Sequence, residues 1–250
     1  MTASRLRWTI VALALALLAS CDSAPGRPVK GSEAPAPSEV VDFHALYAAN
    51  CAGCHGSEGR GGAAVGLANP VYLAIADDTA IRKAVAGGVH GTAMPAFAQS
   101  AGGMLTDAQI AVITSGIRSW SRPGVLGGDH APSYAATAPG DPRRGEAAFA
   151  TYCASCHGAH GEGGPKGSAI TNDSYLALVS DQGLRTVVIA GRPDLGGPDW
   201  RAYVPGRPMS DEEVTDVVAW LASQRVASPG RPYSAHTDAP PRTASSGGSQ

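Results

Sequence analysis

The sequence predicts a helical protein made of two tandem domains of similar plan. The motif Cys-x-x-Cys-His occurs at residues 51–55 and returns roughly 100 residues later at residues 153–157. Each copy follows a short predicted helix, and each segment closes with a longer one that starts at a capping box. Because these signals recur in the same order, the sequence indicates a duplicated domain rather than a short solenoid repeat.

Stretches rich in Pro and Gly mark the predicted domain boundaries. We expect a flexible tether at residues 21–40, a linker at 123–142 and a disordered tail at 228–250, each without a packed core. The segments that remain, residues 41–122 and 143–227, are the two predicted domains.

Local sequence signals define the first and last helix of each domain. The opening helices are predicted at residues 42–50 and 144–152. The closing helices begin at two capping boxes, Thr106 with Gln109 and Ser210 with Glu213. An apolar residue stands before each cap and another four positions after it, as a hydrophobic staple requires: Leu105 with Ile110, and Met209 with Val214.

The repeated motif is the attachment pattern for c-type haem. Its thiols form thioethers to the porphyrin, and the adjacent imidazole ligates the iron. One helical turn places both sulfurs on the same side of the macrocycle and brings the histidine beneath the iron. We therefore predict two covalently attached haem c groups, held by Cys51, Cys54, Cys153 and Cys156 and ligated by His55 and His157.

Two other interpretations of the motif are a redox dithiol and half of a zinc site. A histidine follows the second cysteine in both copies, and no further cysteine remains to complete a zinc ligand set. The fifth cysteine, Cys21, is assigned to a lipid below, so none is left for a disulfide.

Residues 1–20 have the features of a signal peptide. Arg5 and Arg7 precede an apolar run at residues 8–19 that is too short to span a bilayer comfortably. The segment ends in Leu-Ala-Ser followed by Cys21, which resembles the lipobox of bacterial lipoproteins, and this resemblance implies that Cys21 is lipidated. The alternative is an ordinary secretory signal with an incidental cysteine.

The residue after Cys21 bears on the location. Asp22 resembles the signal that keeps Gram-negative lipoproteins in the inner membrane. We therefore expect the protein at the periplasmic face of the bacterial inner membrane, held there by acyl chains. The formal net charge of −2 predicts no nucleic-acid partner.

Both segments resemble class I cytochrome c domains, and the pair resembles tandem dihaem members of that family. The resemblance implies an all-α fold in which each domain wraps around one haem and its first and last helices cross closely. In that family a glycine stands eight residues before the first haem cysteine and an aromatic residue four before it. The second domain fits with Gly145 and Phe149, and Trp220 is placed to pack over the glycine.

The first domain departs from that pattern. Phe43 holds the glycine position, Tyr47 holds the aromatic position, and Gly116 stands where Trp220 would align. Our hypothesis is a size swap, in which Phe43 fills the space left by Gly116 and keeps the crossing at normal packing density.

The resemblance also implies a sixth iron ligand, usually a methionine before proline. Met94, in the sequence Met-Pro-Ala-Phe, matches well in the first domain, and Met104 and His90 are its local alternatives. In the second domain Gly197 stands where the methionine is expected, and Met209 is the single downstream methionine.

We predict Met209 as the sixth ligand of the second haem. An open or water-ligated iron, or a histidine such as His160 or His130, are the alternatives.

The predicted function is a membrane-tethered dihaem electron carrier rather than an enzyme, with no catalytic residue. It would relay single electrons between a redox donor and an acceptor, either as a free shuttle or as a subunit of a respiratory complex. The alternative is a haem enzyme or a sensor of gas or peroxide with an open second haem. In that case four charged residues near Gly197 would act as acid–base groups: Arg192, Asp194, Asp199 and Arg201. In an electron carrier the same residues would be solvated loop residues or partners of the haem propionates.

An acidic cluster lies at the start of the last predicted helix. Negative charge is favourable there because of the helix macrodipole, and the alternative is that the cluster steers a basic partner. Its members are Asp211, Glu212, Glu213 and Asp216.

Overall fold

The computed structural model describes residues 34–227. The predicted signal peptide, Cys21, Asp22 and the predicted tail therefore lie outside the described residues. The described part contains ten α-helices, three short 3-10 helices and no β-strand, so the all-α fold is confirmed. None of these helices is long and apolar enough to cross a membrane. Residues 34–40 carry a 3-10 turn at Pro37–Glu39 and precede the compact unit that begins at Val41.

The compact unit repeats one order of five α-helices. In the first half these are α1 Phe43–Asn50, α2 Ala52–His55, α3 Pro70–Ile75, α4 Asp78–Gly87 and α5 Asp107–Arg118. In the second half they are α6 Pro142–Tyr152, α7 Ala154–His157, α8 Asp173–Leu178, α9 Asp181–Ala190 and α10 Asp211–Ser223. Short 3-10 helices at Gln99–Ala101 and Pro193–Leu195 complete the two halves.

The opening helices begin at aspartate caps. Asp42 accepts a hydrogen bond from the Ala45 N–H at 2.8 Å, and α1 starts one residue later. Helix α6 begins at Pro142, two residues before the predicted start, because Asp141 caps it. Proline is well suited to the first helical position, where its missing N–H has no intrahelical partner to lose.

Both predicted capping boxes are present at the closing helices. Thr106 accepts from the Gln109 N–H at 3.2 Å and its own N–H donates to the Gln109 side chain at 3.0 Å. The reciprocal pair between Ser210 and Glu213 has distances of 3.1 and 2.9 Å. The four staple residues, Leu105, Ile110, Met209 and Val214, are all buried.

The crossing of α6 with α10 depends on Gly145. A Cβ at this position would overlap the Asp216 carbonyl and lie 2.8 Å from the Trp220 Cβ, so the two helix backbones meet there. The indole of Trp220 packs on Phe149 with ring centroids 4.3 Å apart. This is the arrangement that the family resemblance predicts for the second domain.

The crossing of α1 with α5 has the opposite distribution of large and small residues. A Cβ at Gly116 would overlap the Phe43 ring, so this ring fills the space over the glycine. Phe43 and Tyr47 both contact Trp120, with centroid distances of 5.3 and 5.1 Å. The predicted size swap is therefore the packing that the structure has.

The linker has no regular secondary structure before Pro142, yet it follows a fixed course along the second domain. The Ser133 N–H donates to Asp211 at 2.7 Å, and the Ser133 carbonyl accepts from Arg185 at 2.9 Å. The Tyr134 carbonyl accepts from Gln182 at 2.7 Å, and Pro132 is buried. The expectation of a linker without a packed core did not include these contacts, in which polar groups of α9 and α10 bind its backbone.

The size swap predicts the stability of variants at the α1–α5 crossing. Phe43→Gly removes the ring over Gly116 and should lower the free energy of unfolding by about 2 to 4 kcal/mol. Gly116→Ala inserts a methyl group into that ring and should cost about 1 to 3 kcal/mol. In Phe43→Gly/Gly116→Ala the methyl group enters vacated space, so the loss of unfolding free energy should be smaller than the sum of the two single losses, as measured by urea unfolding.

The control for this series is Gly87→Ala. A Cβ at Gly87 meets no atom within 4 Å, so alanine in this helix should leave stability unchanged or raise it slightly. If the losses of unfolding free energy for the Phe43 and Gly116 substitutions add up in the double variant, the size swap is contradicted.

Candidate haem sites

The first motif is built around one turn of helix. The Cys51 N–H donates to the Tyr47 carbonyl at 2.8 Å and ends α1, while the Cys51 carbonyl accepts from the His55 N–H at 3.0 Å. The two thiols therefore stand one turn apart, with His55 at the end of α2. Gly56 follows with a φ of 82°, a conformation that glycine adopts at no steric cost, and the chain turns away there.

The second motif has the same construction. Cys153 bonds to the Phe149 carbonyl at 2.8 Å, and the His157 N–H donates to the Cys153 carbonyl at 3.0 Å. Gly158, with a φ of 84°, ends α7. The two motifs thus present the same donor atoms on the same backbone framework.

Each motif histidine is oriented by one hydrogen bond. His55 Nδ1 lies 2.8 Å from the Val65 carbonyl oxygen, and His157 Nδ1 lies 2.7 Å from that of Ser168. A carbonyl oxygen only accepts, so Nδ1 carries the proton and the Nε2 lone pair is free to ligate a metal. Burial of the ring lowers the pKa of His55, which also favours the neutral form that ligation requires.

No disulfide joins the four cysteines of the described residues. Burial, with a smaller contribution from the neighbouring cysteine, raises the pKa of Cys51 to about 11 and that of Cys153 to about 12. A reactive dithiol needs the opposite shift, because the thiolate is the nucleophile. Residues 34–227 also contain no group of three or more His, Cys, Asp or Glu side chains that could hold a metal ion. The donor sets therefore fit haem c better than a redox dithiol or zinc.

The loop that carries Met94 is fixed against the end of α4. Gly88 ends that helix with a φ of 66°, and a Cβ there would lie 2.6 Å from the Ala96 nitrogen. The Met94 N–H donates to the Thr92 hydroxyl at 3.2 Å, and its carbonyl accepts from Val89 at 3.1 Å. Met94 itself is half-buried.

The same loop exists in the second domain without its methionine. Gly191 ends α9 with a φ of 63°, and a Cβ there would overlap the Pro198 carbonyl. The Arg192 N–H donates to the Gly197 carbonyl at 3.1 Å, as Val89 does to Met94. This shared hydrogen bond makes Gly197 the structural counterpart of Met94, as the sequence predicted.

The other candidate sixth ligands occupy unlike positions. Met104 is 81% exposed, and His90, His130 and His160 are also exposed. Met209 is only 2% exposed, and its N–H donates to the Trp200 carbonyl at 3.0 Å. The equivalent residue in the first domain is Leu105, which bonds to Phe97 in the same way.

Comparison with protein families identifies the two domains. Residues 142–225 match the family described as Cytochrome c, and residues 39–115 match the family described as Cytochrome C oxidase, cbb3-type, subunit III. The chain carries two cytochrome c domains. Such domains bind haem c covalently and use it for electron transfer, and two domains are consistent with two haems.

The chain also has a distant similarity to a solved structure. A solved chain of the Kuenenia stuttgartiensis reducing HAO-like protein complex superposes with a TM-score of 0.41 at 20% identity, covering 77% of this cytochrome and 100% of that chain. No curated protein sequence matches the cytochrome significantly.

The charged residues near Gly197 bond mainly to one another. Arg192 donates to Asp194 at 2.9 and 3.0 Å, and Arg201 donates to Asp199 at 2.7 Å. Their charges are thus already compensated within the loop, which argues against free acid–base groups on the second haem.

The acidic cluster of the cytochrome is also used internally. The buried carboxylate of Asp216 accepts from Arg144 at 2.7 and 3.0 Å, and Asp211 accepts from Arg185 at 2.6 Å. Glu213 closes the capping box and accepts from the Tyr152 hydroxyl at 3.0 Å. Stabilisation of α10 and its neighbours accounts for these charges without a basic partner.

Sequence reasoning missed a group of contacts beside the first motif. Asn69, capping α3, donates through Nδ2 to the Ala190 carbonyl at 2.9 Å. Arg192 donates to the Gly62 carbonyl at 2.7 Å, and Asp194 accepts from the Gly61 N–H at 2.8 Å. No local pattern marks these residues, since each partner comes from the other domain.

A groove of about 440 Å³ lies away from both motifs, along α3, the end of α5 and the start of the linker. Two arginines line it, Arg118 and Arg122, and Arg118 already bonds to the carbonyls of Leu73 and Ala76 and to Asp78. We therefore assign no ligand to this groove.

Acid titration tests the Arg192–Asp194 pair. The hydrogen bond from Arg192, aided by the Gly61 N–H, lowers the pKa of Asp194 to about 2. Since the folded pKa is below the unfolded one, Asp194 should stabilise the cytochrome above about pH 4 and lose that contribution as the pH falls towards 2. Arg192→Ala should raise the pKa of Asp194 towards the usual aspartate range, measured by carboxyl ¹³C NMR of the ferrous protein. Arg201→Ala, which leaves this pair intact, should not.

Proposed function

We propose that the protein is a membrane-tethered dihaem cytochrome c that relays single electrons between respiratory redox partners. The observation that carries this proposal is the pair of motifs with identical backbone geometry, each with a histidine whose Nδ1 is held by a carbonyl. Cys51, Cys54 and His55 would hold one haem, and Cys153, Cys156 and His157 the other. The bound haem supplies one-electron redox chemistry, and the chain orients it and controls access to its iron.

The first domain is suited to electron transfer alone. His55 and Met94 would occupy both axial positions, which leaves no place for a substrate. A thioether opposite histidine favours ferrous iron and raises the potential. The hydrogen bonds of the Met94 loop support this role, because they hold the loop in one conformation.

The second domain would use Met209 as its sixth ligand. It is the single methionine downstream of the second motif and is buried. A ligand role requires its thioether to leave the core position that Leu105 fills in the first domain. The observation that favours the alternative function is Gly197, which offers no ligand where Met94 stands in the first domain. An open iron there would make the second domain a haem enzyme or a sensor of gas or peroxide.

The location and partners are part of the proposal. A lipidated Cys21 would anchor the chain at the periplasmic face of the inner membrane and raise its effective concentration near membrane-bound partners. The family matched by the first domain is named for an oxidase subunit, which supports a respiratory complex as one partner. Whether as a shuttle or a docked subunit, the protein would accept and donate electrons rather than transform a substrate.

Near-infrared absorption of the ferric holoprotein tests the axial ligands. A thioether–iron bond gives a sulfur-to-iron charge-transfer band, so Met94→Ala should remove about half of the band if both haems are His/Met ligated. Met209→Ala should remove the other half.

The control is Met104→Ala, which replaces an exposed methionine and should leave the band unchanged. If the charge-transfer band depends on Met94 alone and the wild-type protein shows a high-spin signal, Met209 is refuted as a ligand. Binding of peroxide, nitric oxide and carbon monoxide would then be measured at the second haem. A holoprotein that contains no haem at all would refute the function itself.

Membrane fractionation tests the anchor. The wild-type protein should sediment with inner membranes and be released by detergent, because acyl chains hold it. Cys21→Ala should move it to the soluble periplasmic fraction, if an uncleaved signal does not retain it. A Cys21→Ala protein that is cleaved after the signal and still sediments with membranes would contradict lipid anchoring.

A further inference from the structure

The two cytochrome domains contact each other through α3 and α9, and the hydrogen bonds between the domains lie on short loops beside these helices. On the first domain they involve Gly61, Gly62 and Asn69, and on the second they involve residues 190–194. Asn69 has a double role. Its Oδ1 accepts from the first N–H groups of α3 at 2.9 and 3.2 Å, while its Nδ2 donates to the carbonyls at the end of α9.

Arg192 and Asp194 bind the first domain as a pair. The guanidinium of Arg192 holds Asp194 and the Gly62 carbonyl together, and the carboxylate of Asp194 receives the Gly61 N–H. Both side chains are largely buried, with exposed fractions of 16% and 11%. The net charge of the pair is zero, and its outward hydrogen bonds go to backbone groups of the other domain. Charge-assisted hydrogen bonds of this kind are stronger than neutral ones.

On the first domain, the contact reaches the haem motif directly. A Cβ at Gly62 would overlap the Cys54 carbonyl and lie 2.6 Å from the His55 carbonyl carbon, so this glycine packs on the motif backbone. The next residues include Val65, whose carbonyl orients the His55 ring. The Asn69 N–H closes this loop on the Gly66 carbonyl at 3.1 Å.

On the second domain, the same contact uses the loop that corresponds to the Met94 loop of the first domain. Arg192 pairs with Gly197 through two backbone hydrogen bonds of 3.1 and 2.8 Å. The first of these bonds has a counterpart in the first domain, where the Val89 N–H donates to the Met94 carbonyl. The loop that would border the second haem is therefore bonded to the loop that lies on the first motif.

We propose that Arg192 and Asp194, with Asn69, are positioning residues that hold the two haem domains in one fixed arrangement for electron transfer between the haems. The inference rests on the proposed dihaem function and adds the contact that sets the relative position of the two redox centres. The linker also touches both domains, because Ser133 and Tyr134 bond to α9 and α10 of the second domain and the Tyr134 ring lies 6.5 Å from that of Tyr72 in the first. The hydrogen bonds of Arg192, Asp194 and Asn69 differ in joining the two loops that lie beside the first motif and at the Gly197 loop. With both haems bound, one electron would pass between them, so that one centre would be oxidised as the other is reduced and no further reactant would be needed.

Two variants test the contact in the full-length holoprotein. Arg192→Ala/Asp194→Ala removes the pair. Asn69→Asp keeps the oxygen that caps α3 but replaces the donor to Ala190 and Gly191 with a second oxygen. The matched control is Arg82→Ala/Asp107→Ala, which removes an exposed ion pair within the first domain.

Two measurements are made on each protein after its haem content and visible spectrum have been recorded. The first is amide hydrogen exchange of peptides that cover residues 56–69 and 190–198. The second is the rate at which electrons equilibrate between the haems after flash photoreduction. Arg192→Ala/Asp194→Ala should speed exchange in both peptides and lower the rate by roughly tenfold or more, since small displacements of reacting centres have large effects on rate. Asn69→Asp should also speed hydrogen exchange in both peptides and lower the electron-transfer rate. The control should match the wild type in both measurements.

The outcomes separate the inference from the function on which it rests. Wild-type protein without two haems would refute the dihaem proposal. Two intact haems with an unchanged rate in both test variants would overturn the positioning role alone. Slower equilibration with unchanged spectra of each haem supports it. If Arg192→Ala/Asp194→Ala fails to incorporate haem, Asn69→Asp decides, because it retains the helix cap.

Discussion

The hydrogen bond between each motif histidine and a backbone carbonyl is the constraint on which the rest of the structure depends. It requires a loop to fold back over a single helical turn, so that Val65 or Ser168 reaches Nδ1. Such a close approach leaves no room for side chains at the contact. A Cβ at Gly62 would overlap the Cys54 carbonyl, and one at Gly167 would lie 2.9 Å from the His157 ring nitrogen.

The glycine-rich loops after each motif therefore have a specific physical role. Glycine at these positions lets backbone lie on backbone, and it costs conformational entropy that the surrounding packing must offset. That packing comes from the crossing of the first and last helix of each domain. The loop and the crossing together fix the histidine, because the crossing holds the helix that ends at the first motif cysteine.

The two domains build this crossing in different ways. In the second, Gly145 lets the helix backbones meet and Trp220 covers the contact from α10. In the first, the large ring is Phe43 of α1 and the small residue is Gly116 of α5. Packing density constrains the volume that fills a crossing and leaves open which helix supplies it. The residue pattern of one domain therefore does not predict which helix supplies the large side chain in the other.

Features set by residues close in sequence could be predicted. The threonine and serine caps, the one-turn motifs and the counterpart relation of Met94 and Gly197 depend on spacings of a few residues, and the structure has them. Features that depend on distant residues could not. The bonds from Asn69 to Ala190 and from Arg192 to Gly62 join residues more than 100 positions apart, and neither side chain differs locally from an ordinary cap or loop charge. The docking of the linker on Arg185 was missed for the same reason.

The counterpart loops of the two domains show how duplication allowed them to differ. In the first, the residues hydrogen-bonded across the loop are Val89 and Met94, and the loop offers a thioether. In the second they are Arg192 and Gly197, and the loop offers a guanidinium that binds the other domain. A loop that is bonded to its neighbour through Arg192 and Asp194 is not free to move towards its own haem. The axial ligand of a haem in this domain would then come from another segment, such as that of Met209, or the position would stay open. The inter-domain contact and the coordination of a second iron would thus be linked through one loop.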